Sequence, residues 1–232
     1  LPNGSGVDIF CSSNVLLAPE SPGSPASVLI TGGNGTENGV NRNTTVLDVA
    51  TNTLTRRSDM QRGRWYATST TLINGEVYIQ GGLSGTDRPE VRSLTGNTRL
   101  LGNANTSTLD YYYPRNFVAP DGRIFGFDSH GKTYYVDTAG NGTITMSDQF
   151  GAQYAGQSGS AAMFRPGRIL QVAGYSNAAQ VIDITGGSPV MTPTQSVSSQ
   201  RQWVTTTILA DGQVLATGGS QNDTTEGTNA PI

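Results

Sequence analysis

Short apolar runs separated by Gly, Asn, Asp and Thr recur along the chain, each about long enough for one strand. "SVLITGG" ends at Gly33, and "GEVYIQGG" from Gly75, "GRIFGFDS" from Gly122, "GRILQVAG" from Gly167 and "GQVLATGG" from Gly212 echo one another. Their spacing of roughly 45 residues is that of a propeller blade. Each of the four later copies opens on a turn, Asn74-Gly75, Asp121-Gly122, Pro166-Gly167 or Asp211-Gly212, and runs into an apolar strand, the pattern of a β-hairpin. Ahead of the turn lies another strand, supplied in two copies by "WYATSTTLI" and "WVTTTILA", each led by an arginine (Arg64, Arg201) at the same distance before the turn glycine. Beyond the glycines, "TTVLDVATNTL" (44–54), "KTYYVDTAGNGTI" (132–144) and "AAQVIDITGGSPV" (178–190) read as an outer strand and hairpin. The pattern predicts an all-β fold, a kelch-type β-propeller in which paired glycines let neighbouring strand backbones approach closely. Nothing reads as a long amphipathic helix.

Composition sharpens this. With 30 Gly and only 13% charged residues, the chain suits short strands and tight turns. A net charge of -3 without a Lys/Arg cluster argues against nucleic acid or an anionic membrane as partner. No apolar run approaches the roughly 18 residues of a membrane span. No basic-then-apolar leader stands at Leu1, so any signal peptide is expected to have been removed or to lie outside this sequence. At roughly five repeats the blade count does not close. The last repeat stops just after Gly218-Gly219, and "SQNDTTEGTNAPI" holds no further strand. Residues 1–232 are therefore expected to be the first part of a longer propeller. Nucleotide-binding loops, zinc spacings and a Gly-x-Ser-x-Gly elbow are absent from the sequence, and one histidine gives a Ser-His-Asp triad little to draw on. Asn-x-Ser/Thr sequons stand at Asn3, Asn34, Asn43, Asn105, Asn141 and Asn222, candidate glycosylation sites in a secreted eukaryotic protein and also frequent by chance in so Asn- and Thr-rich a chain.

Through "DIFCSS", "DMQRGRWYATST", "YIQGG", "SGSAAMFRPGRILQVAG" and "SSQRQWVTTTILADGQVLATGG", the sequence resembles the copper-radical oxidases, the galactose oxidase and glyoxal oxidase family, and particularly their bacterial members. Cys11 followed by the Arg-x-Tyr of Arg64 to Tyr66 carries the resemblance furthest. It implies a seven-bladed kelch propeller, cut here before the remaining blades and any C-terminal β-sandwich domain. In that family such a cysteine is bonded through sulfur to the ring of such a tyrosine, which is both a copper ligand and the seat of a stable radical. Tyr66 would thus be ligand and radical, and Cys11 its covalent modifier. The implied reaction is oxidation of a primary alcohol, aldehyde or sugar by O2 to give H2O2, outside the cell. Copper supplies one electron equivalent and the ring the other, and copper(II) suits a tetragonal set of imidazole, phenolate and substrate oxygens. Arg115 in "YYYPRNF" lies near where the family places a substrate-binding arginine, and its forked donors suit a diol or carboxylate; holding blade carbonyls is the other role open to it.

The chain departs from the family at its other ligands. A Tyr-His pair and a further histidine are required, and the only histidine is His130 in "DSHGKTYY", expected to be an exposed loop residue. Where some relatives have histidine after the tryptophan at Trp203, this chain has Val204. The missing ligands are expected beyond Ile232 or on a second chain. Cys11 also has a plain reading as a small buried hydrophobe. Trp65 and Trp203 read as packing residues, and Trp65, adjacent to Tyr66 on a strand, is expected on the opposite face. The loop after Gly82, "LSGTDRP", offers no aromatic cover for Tyr66. Tyr111, Tyr112 and Tyr113 either line a sugar-binding mouth or alternate along a strand between two packed faces. The alternative function is a non-catalytic propeller acting as a carbohydrate-binding or structural surface protein.

Overall fold

The computed structural model describes residues 4–17, 25–35 and 40–221; the sequons at Asn3 and Asn222 lie outside them. Strands follow one another along the chain, interrupted by one 3-10 turn among the described residues. The first sheet is β1 (Ser13–Leu17), β2 (Ser27–Thr31), β3 (Thr44–Asp48) and β4 (Thr53–Arg57). The second is β5 (Trp65–Thr71), β6 (Val77–Leu83), β7 (Glu90–Arg92) and β8 (Thr98–Leu100). A third holds β9 (Arg115–Val118), β10 (Ile124–Phe127), β11 (Lys132–Asp137) and β12 (Thr143–Gln149). A fourth holds β13 (Ser160–Arg165), β14 (Arg168–Val172), β15 (Ala179–Asp183) and β16 (Val190–Thr194), and β17 (Thr205–Ile208) pairs with β18 (Val214–Thr217). Spatial order equals chain order in every sheet, so the first four are four-stranded meanders and the last is a hairpin. The chain divides into two compact units, 1–118 with 136–144 and 119–135 with 145–232.

The turns explain the repeat. Gly75, Gly122 and Gly212 have φ of +83°, +87° and +82°, a conformation open to glycine at little cost. Each N–H donates to the carbonyl three residues back (Leu72, Ala119, Leu209) at 2.9 Å, and the Asn74, Asp121 and Asp211 side chains accept from the N–H two residues on. One turn chemistry therefore sets the register of three hairpins.

The glycine pairs answer a different demand. A Cβ on Gly32 would lie 2.1 Å from the Arg64 carbonyl oxygen, and one on Gly81 2.7 Å from both the Tyr111 oxygen and Pro114. Their second members donate to the same neighbouring segments, Gly33 N–H to Arg64 O and Gly82 N–H to Tyr111 O, each at 2.8 Å. In the first unit the core lies between the first two sheets. Leu29, Val46, Ala67, Val77 and Ile79, with Met60, bury their side chains there because alternate strand residues share a face. In the second unit Val172, Ala179 and Val204 form a smaller cluster. No helix among the described residues is long and apolar enough to cross a membrane.

Candidate active site

Cys11, Tyr66 and Tyr113 stand at one place in successive repeats, just ahead of the leading strand of each sheet or at its first residues. Tyr66 and Tyr113 lie nine residues before their turn glycines, Gly75 and Gly122. The backbone joins the three directly: Tyr66 N–H donates to the Cys11 carbonyl at 3.1 Å, and Tyr113 N–H to the Tyr66 carbonyl at 2.9 Å. All three are left-handed, with φ of +56°, +71° and +42°. For residues with a Cβ this costs about 1–2 kcal/mol each, and such strain concentrates at functional sites.

Their side chains converge as well. The half-buried Cys11 acts electrostatically on both the Tyr66 and the Tyr113 phenol. Burial first, then the charge the sulfur can carry, push both phenols above the ordinary tyrosine range, so both rings hold their protons at neutral pH. The Trp65 indole stacks on Tyr66 with centroids 4.3 Å apart and planes at 29°, Tyr112 lies 4.6 Å away at 31°, and Tyr113 stands edge-on at 5.3 Å.

This corrects two expectations. Trp65 does not face away from Tyr66, because the left-handed φ at Tyr66 breaks the alternation of side chains that a regular strand imposes. The ladder shows the same break: Trp65 pairs with Leu83 and Ala67 with Gly81, while the Tyr66 N–H turns to Cys11 instead. The tyrosine run does not lie on a strand either. It precedes β9, its first carbonyl is taken by Gly82, Tyr113 is left-handed, and Pro114 has no N–H to give a ladder. Cover for Tyr66 therefore comes from Trp65 and Tyr112. A count back from the turn glycine aligns Tyr113 with Tyr66 and is the sequence signal that would have found it.

Arg64 fixes the geometry from below. It is fully buried and spends all five N–H donors: on Gly81 O (2.7 Å), Gly85 O (2.9 Å), Arg88 O (2.7 Å) and twice on Glu90 Oε1 (2.9 and 3.2 Å). Glu90, equally buried, also accepts from the backbone N–H groups of Gln61 and Arg62. Burial pushes the Arg64 guanidinium down and the Glu90 carboxylate pushes it back up. Arg64 thereby ties the loop after β6 to the residue next to Trp65 and Tyr66. Arg115 opens β9 and donates to the Tyr113 carbonyl, so it braces the left-handed tyrosine. His130 sits in a turn with its side chain 68% exposed.

Among the described residues no three His, Cys, Asp or Glu side chains are grouped to hold a metal ion. The chain's donor set at this site is two phenols and a thiol, which fits the oxygen side of a copper centre and the precursor of a thioether but supplies no imidazole.

A fungal alcohol oxidase of the AA5 family, solved in complex with copper, is similar with a TM-score of 0.81 over 97% of this chain and 50% of its own, at 20% identity. The fold is that of a kelch-type β-propeller. YjhT shares it with a TM-score of 0.66, covering 94% of this chain and 74% of its own at 14% identity. The propeller chain thus spans about half the length of the oxidase it matches. No protein-family model matches the sequence, and no curated protein does.

Proposed function

We propose that this chain is the propeller portion of an extracellular copper-radical oxidase that oxidises a primary alcohol or aldehyde with O2 and releases H2O2. The observation that carries the reading is Cys11 tied to Tyr66 through the Tyr66 N–H and the Cys11 carbonyl at 3.1 Å, both residues left-handed, with Trp65 stacked on the tyrosine ring. A thiol against an oxidisable phenol is the starting arrangement of a thioether-linked radical ring, and stacked rings shield such a radical from solvent. The fold shared with a copper-bound alcohol oxidase supports the same class.

Tyr66 is the residue assigned to the metal, and the remaining ligands belong outside this chain. Bound copper would supply the second one-electron site that a two-electron oxidation needs. The residues of this chain do the rest: Tyr66 carries the oxidisable ring, Cys11 modifies it, Trp65 and Tyr112 exclude water from it, and Arg115 holds the Tyr113 carbonyl at the edge of the site.

The test is peroxide release by the full-length protein, loaded with copper(II), from a panel of primary alcohols, aldehydes and sugars. Activity in the wild type that falls at least a hundredfold in Cys11→Ala and in Tyr66→Phe, with the fold kept, is expected, since each variant removes a group from the reacting ring. Equal turnover in all three proteins overturns the roles given to Cys11 and Tyr66, and none in the loaded wild type leaves a propeller that binds rather than reacts.

A further inference from the structure

Four of the six Asn-x-Ser/Thr sequons have their asparagine among the described residues, and the function proposed above uses none of them. The fold treats them unequally. In Asn105-Thr106-Ser107 the middle residue is the anchor: Thr106 is 1% exposed, its N–H donates to the Asp87 carbonyl at 3.1 Å, and its hydroxyl donates to the Thr86 carbonyl. Asn105 and Ser107, on either side of it, are exposed. The Asn105 side-chain oxygen accepts from the Ser107 N–H at 3.1 Å. This Asx turn brings the serine back beside the amide, whose nitrogen has no hydrogen-bond partner among the described residues.

Asn141-Gly142-Thr143 reaches the same arrangement by other means. Gly142 is buried and left-handed at φ +66°, and a Cβ on it would lie 2.8 Å from the Leu101 Cβ. Asn141 and Thr143 are exposed where β11 turns into β12. The Asn141 carbonyl accepts from the Asn103 N–H at 2.9 Å, so both sequons stand on one edge of the first unit. The other two are turned the opposite way. Asn43 is half-buried and runs into β3 with Thr44 and Thr45 at 0% and 1% exposure. Asn34 is half-buried and donates its amide to the Asp8 carboxylate at 2.8 Å.

We propose that Asn105 and Asn141 are N-glycan acceptors and that Asn34 and Asn43 are not. The modification needs an amide nitrogen and a hydroxyl two residues on that a transferase can reach together, and a folded product whose sugar stands in solvent. Both needs are met where the middle residue holds the loop and its two neighbours point outward. In the transfer, the asparagine Nδ2 bonds to the anomeric carbon of an oligosaccharide carried on a lipid pyrophosphate. The bond from that carbon to the phosphate oxygen breaks, the pyrophosphate leaves with the electron pair, and the nitrogen gives up one proton. The inference goes beyond the oxidase reading and asks only that the chain pass through a compartment holding that donor.

The test is site-resolved peptide mapping of the full-length protein, produced behind a secretion leader in yeast, with secreted and retained pools both mapped. Enzymatic deglycosylation in heavy-oxygen water turns each asparagine that carried a glycan into a labelled aspartate. Label is expected at Asn105 and Asn141 and absent from Asn34 and Asn43. Ser107→Ala and Thr143→Ala keep the asparagine and remove the hydroxyl, so each is expected to abolish label at its own site and leave the other as in the wild type. Label at Asn141 that survives Thr143→Ala is spontaneous deamidation of the Asn-Gly pair and counts against the inference. Asn105 or Asn141 unlabelled in both pools, or Asn43 labelled as fully as they are, overturns it. Peroxide release plays no part in this readout: an inactive oxidase with both sites labelled refutes the oxidase reading alone, and an active one without label refutes the acceptor sites alone.

Discussion

Where β1 meets β5, the Tyr66 N–H donates to the Cys11 carbonyl at 3.1 Å and the Ser69 N–H to the Ser13 hydroxyl at 2.8 Å. Where β13 meets β17, the Trp203 N–H donates to the Ser158 carbonyl at 3.1 Å and the Thr206 N–H to the Ser160 hydroxyl at 3.1 Å. Ser158 and Trp203 stand nine residues before Gly167 and Gly212, and Trp203 is left-handed at φ +61°, as Tyr66 is. The repeat thus makes the stitch at both seams and a left-handed residue at Tyr66 and Trp203, while Ser158 at the same repeat position is not left-handed. What differs is the equipment. Cys11 is itself left-handed and acts electrostatically on two phenols, whereas the Ser158 hydroxyl is buried without a hydrogen-bond partner among the described residues. Trp203 is 44% exposed, while Tyr66 carries a stacked indole. Arg201 reaches the first glycine of its pair, Gly218 O, just as Arg64 reaches Gly81 O, but is part-exposed and otherwise finds, among the described residues, the Ser198 hydroxyl. The backbone stitch is therefore shared by the two seams, and the chemistry belongs to one of them.

The largest contrast should appear at the arginines. Arg64→Met strands a fully buried Glu90 carboxylate and is expected to cost about 3–5 kcal/mol in urea unfolding, whereas Arg201→Met should stay within about 1 kcal/mol. Equal losses would mean that the Arg64 cluster does not set the first seam apart. Next come the glycines. Gly32→Ala drives a Cβ into the Arg64 carbonyl in a left-handed residue and should cost about 3 kcal/mol. Gly218 is also left-handed, at φ +68°, but an added Cβ meets nothing within 4 Å, so Gly218→Ala should cost about 1–2 kcal/mol. Thermal unfolding of the two variants side by side checks the order.

Much of the scaffold was legible in the chain. The Asn-Gly and Asp-Gly turns and the apolar runs after them specify hairpins through local chemistry, and the paired glycines announce close backbone approach. Arg64 and Arg201 could be matched by their distance to the turn. The contents of the site were harder to read, because they depend on φ at single residues. Trp65 beside Tyr66 looks like two faces of a strand until Tyr66 turns left-handed, and "YYYPRNF" looks like strand until its carbonyls and N–H groups are seen to bond the neighbouring sheet. Cys11 and Tyr66 were found from sequence through a resemblance; Tyr113 had only its distance to Gly122 to mark it, a signal that gains meaning once its φ and its bond to Tyr66 are seen.

Smaller effects refine the comparison of seams. Cys11→Ser gives the first seam the residue type of the other, and stability should change by less than about 1 kcal/mol while any thioether is lost. The reciprocal double variant, Ser158→Cys with Trp203→Tyr, should fold and yet form no thioether under copper(II) and air, because no indole stacks there; a cross-link at that seam would show that the backbone stitch alone is enough. Smallest of all, Ser158→Ala removes an unsatisfied buried hydroxyl and should leave stability unchanged or raise it by about 0.5 kcal/mol. Ser13→Ala takes away the acceptor of the Ser69 N–H and should cost about 1 kcal/mol in the same urea assay.

The central claim is that Cys11 and Tyr66 become one covalent unit. Peptide mass spectrometry of the natively produced full-length protein, after incubation with copper(II) in air, tests it most directly. The account predicts a joined Cys11–Tyr66 peptide lighter than its parts by the pair of hydrogens lost. Separate, unmodified Cys11 and Tyr66 peptides from protein whose copper loading has been verified would contradict it.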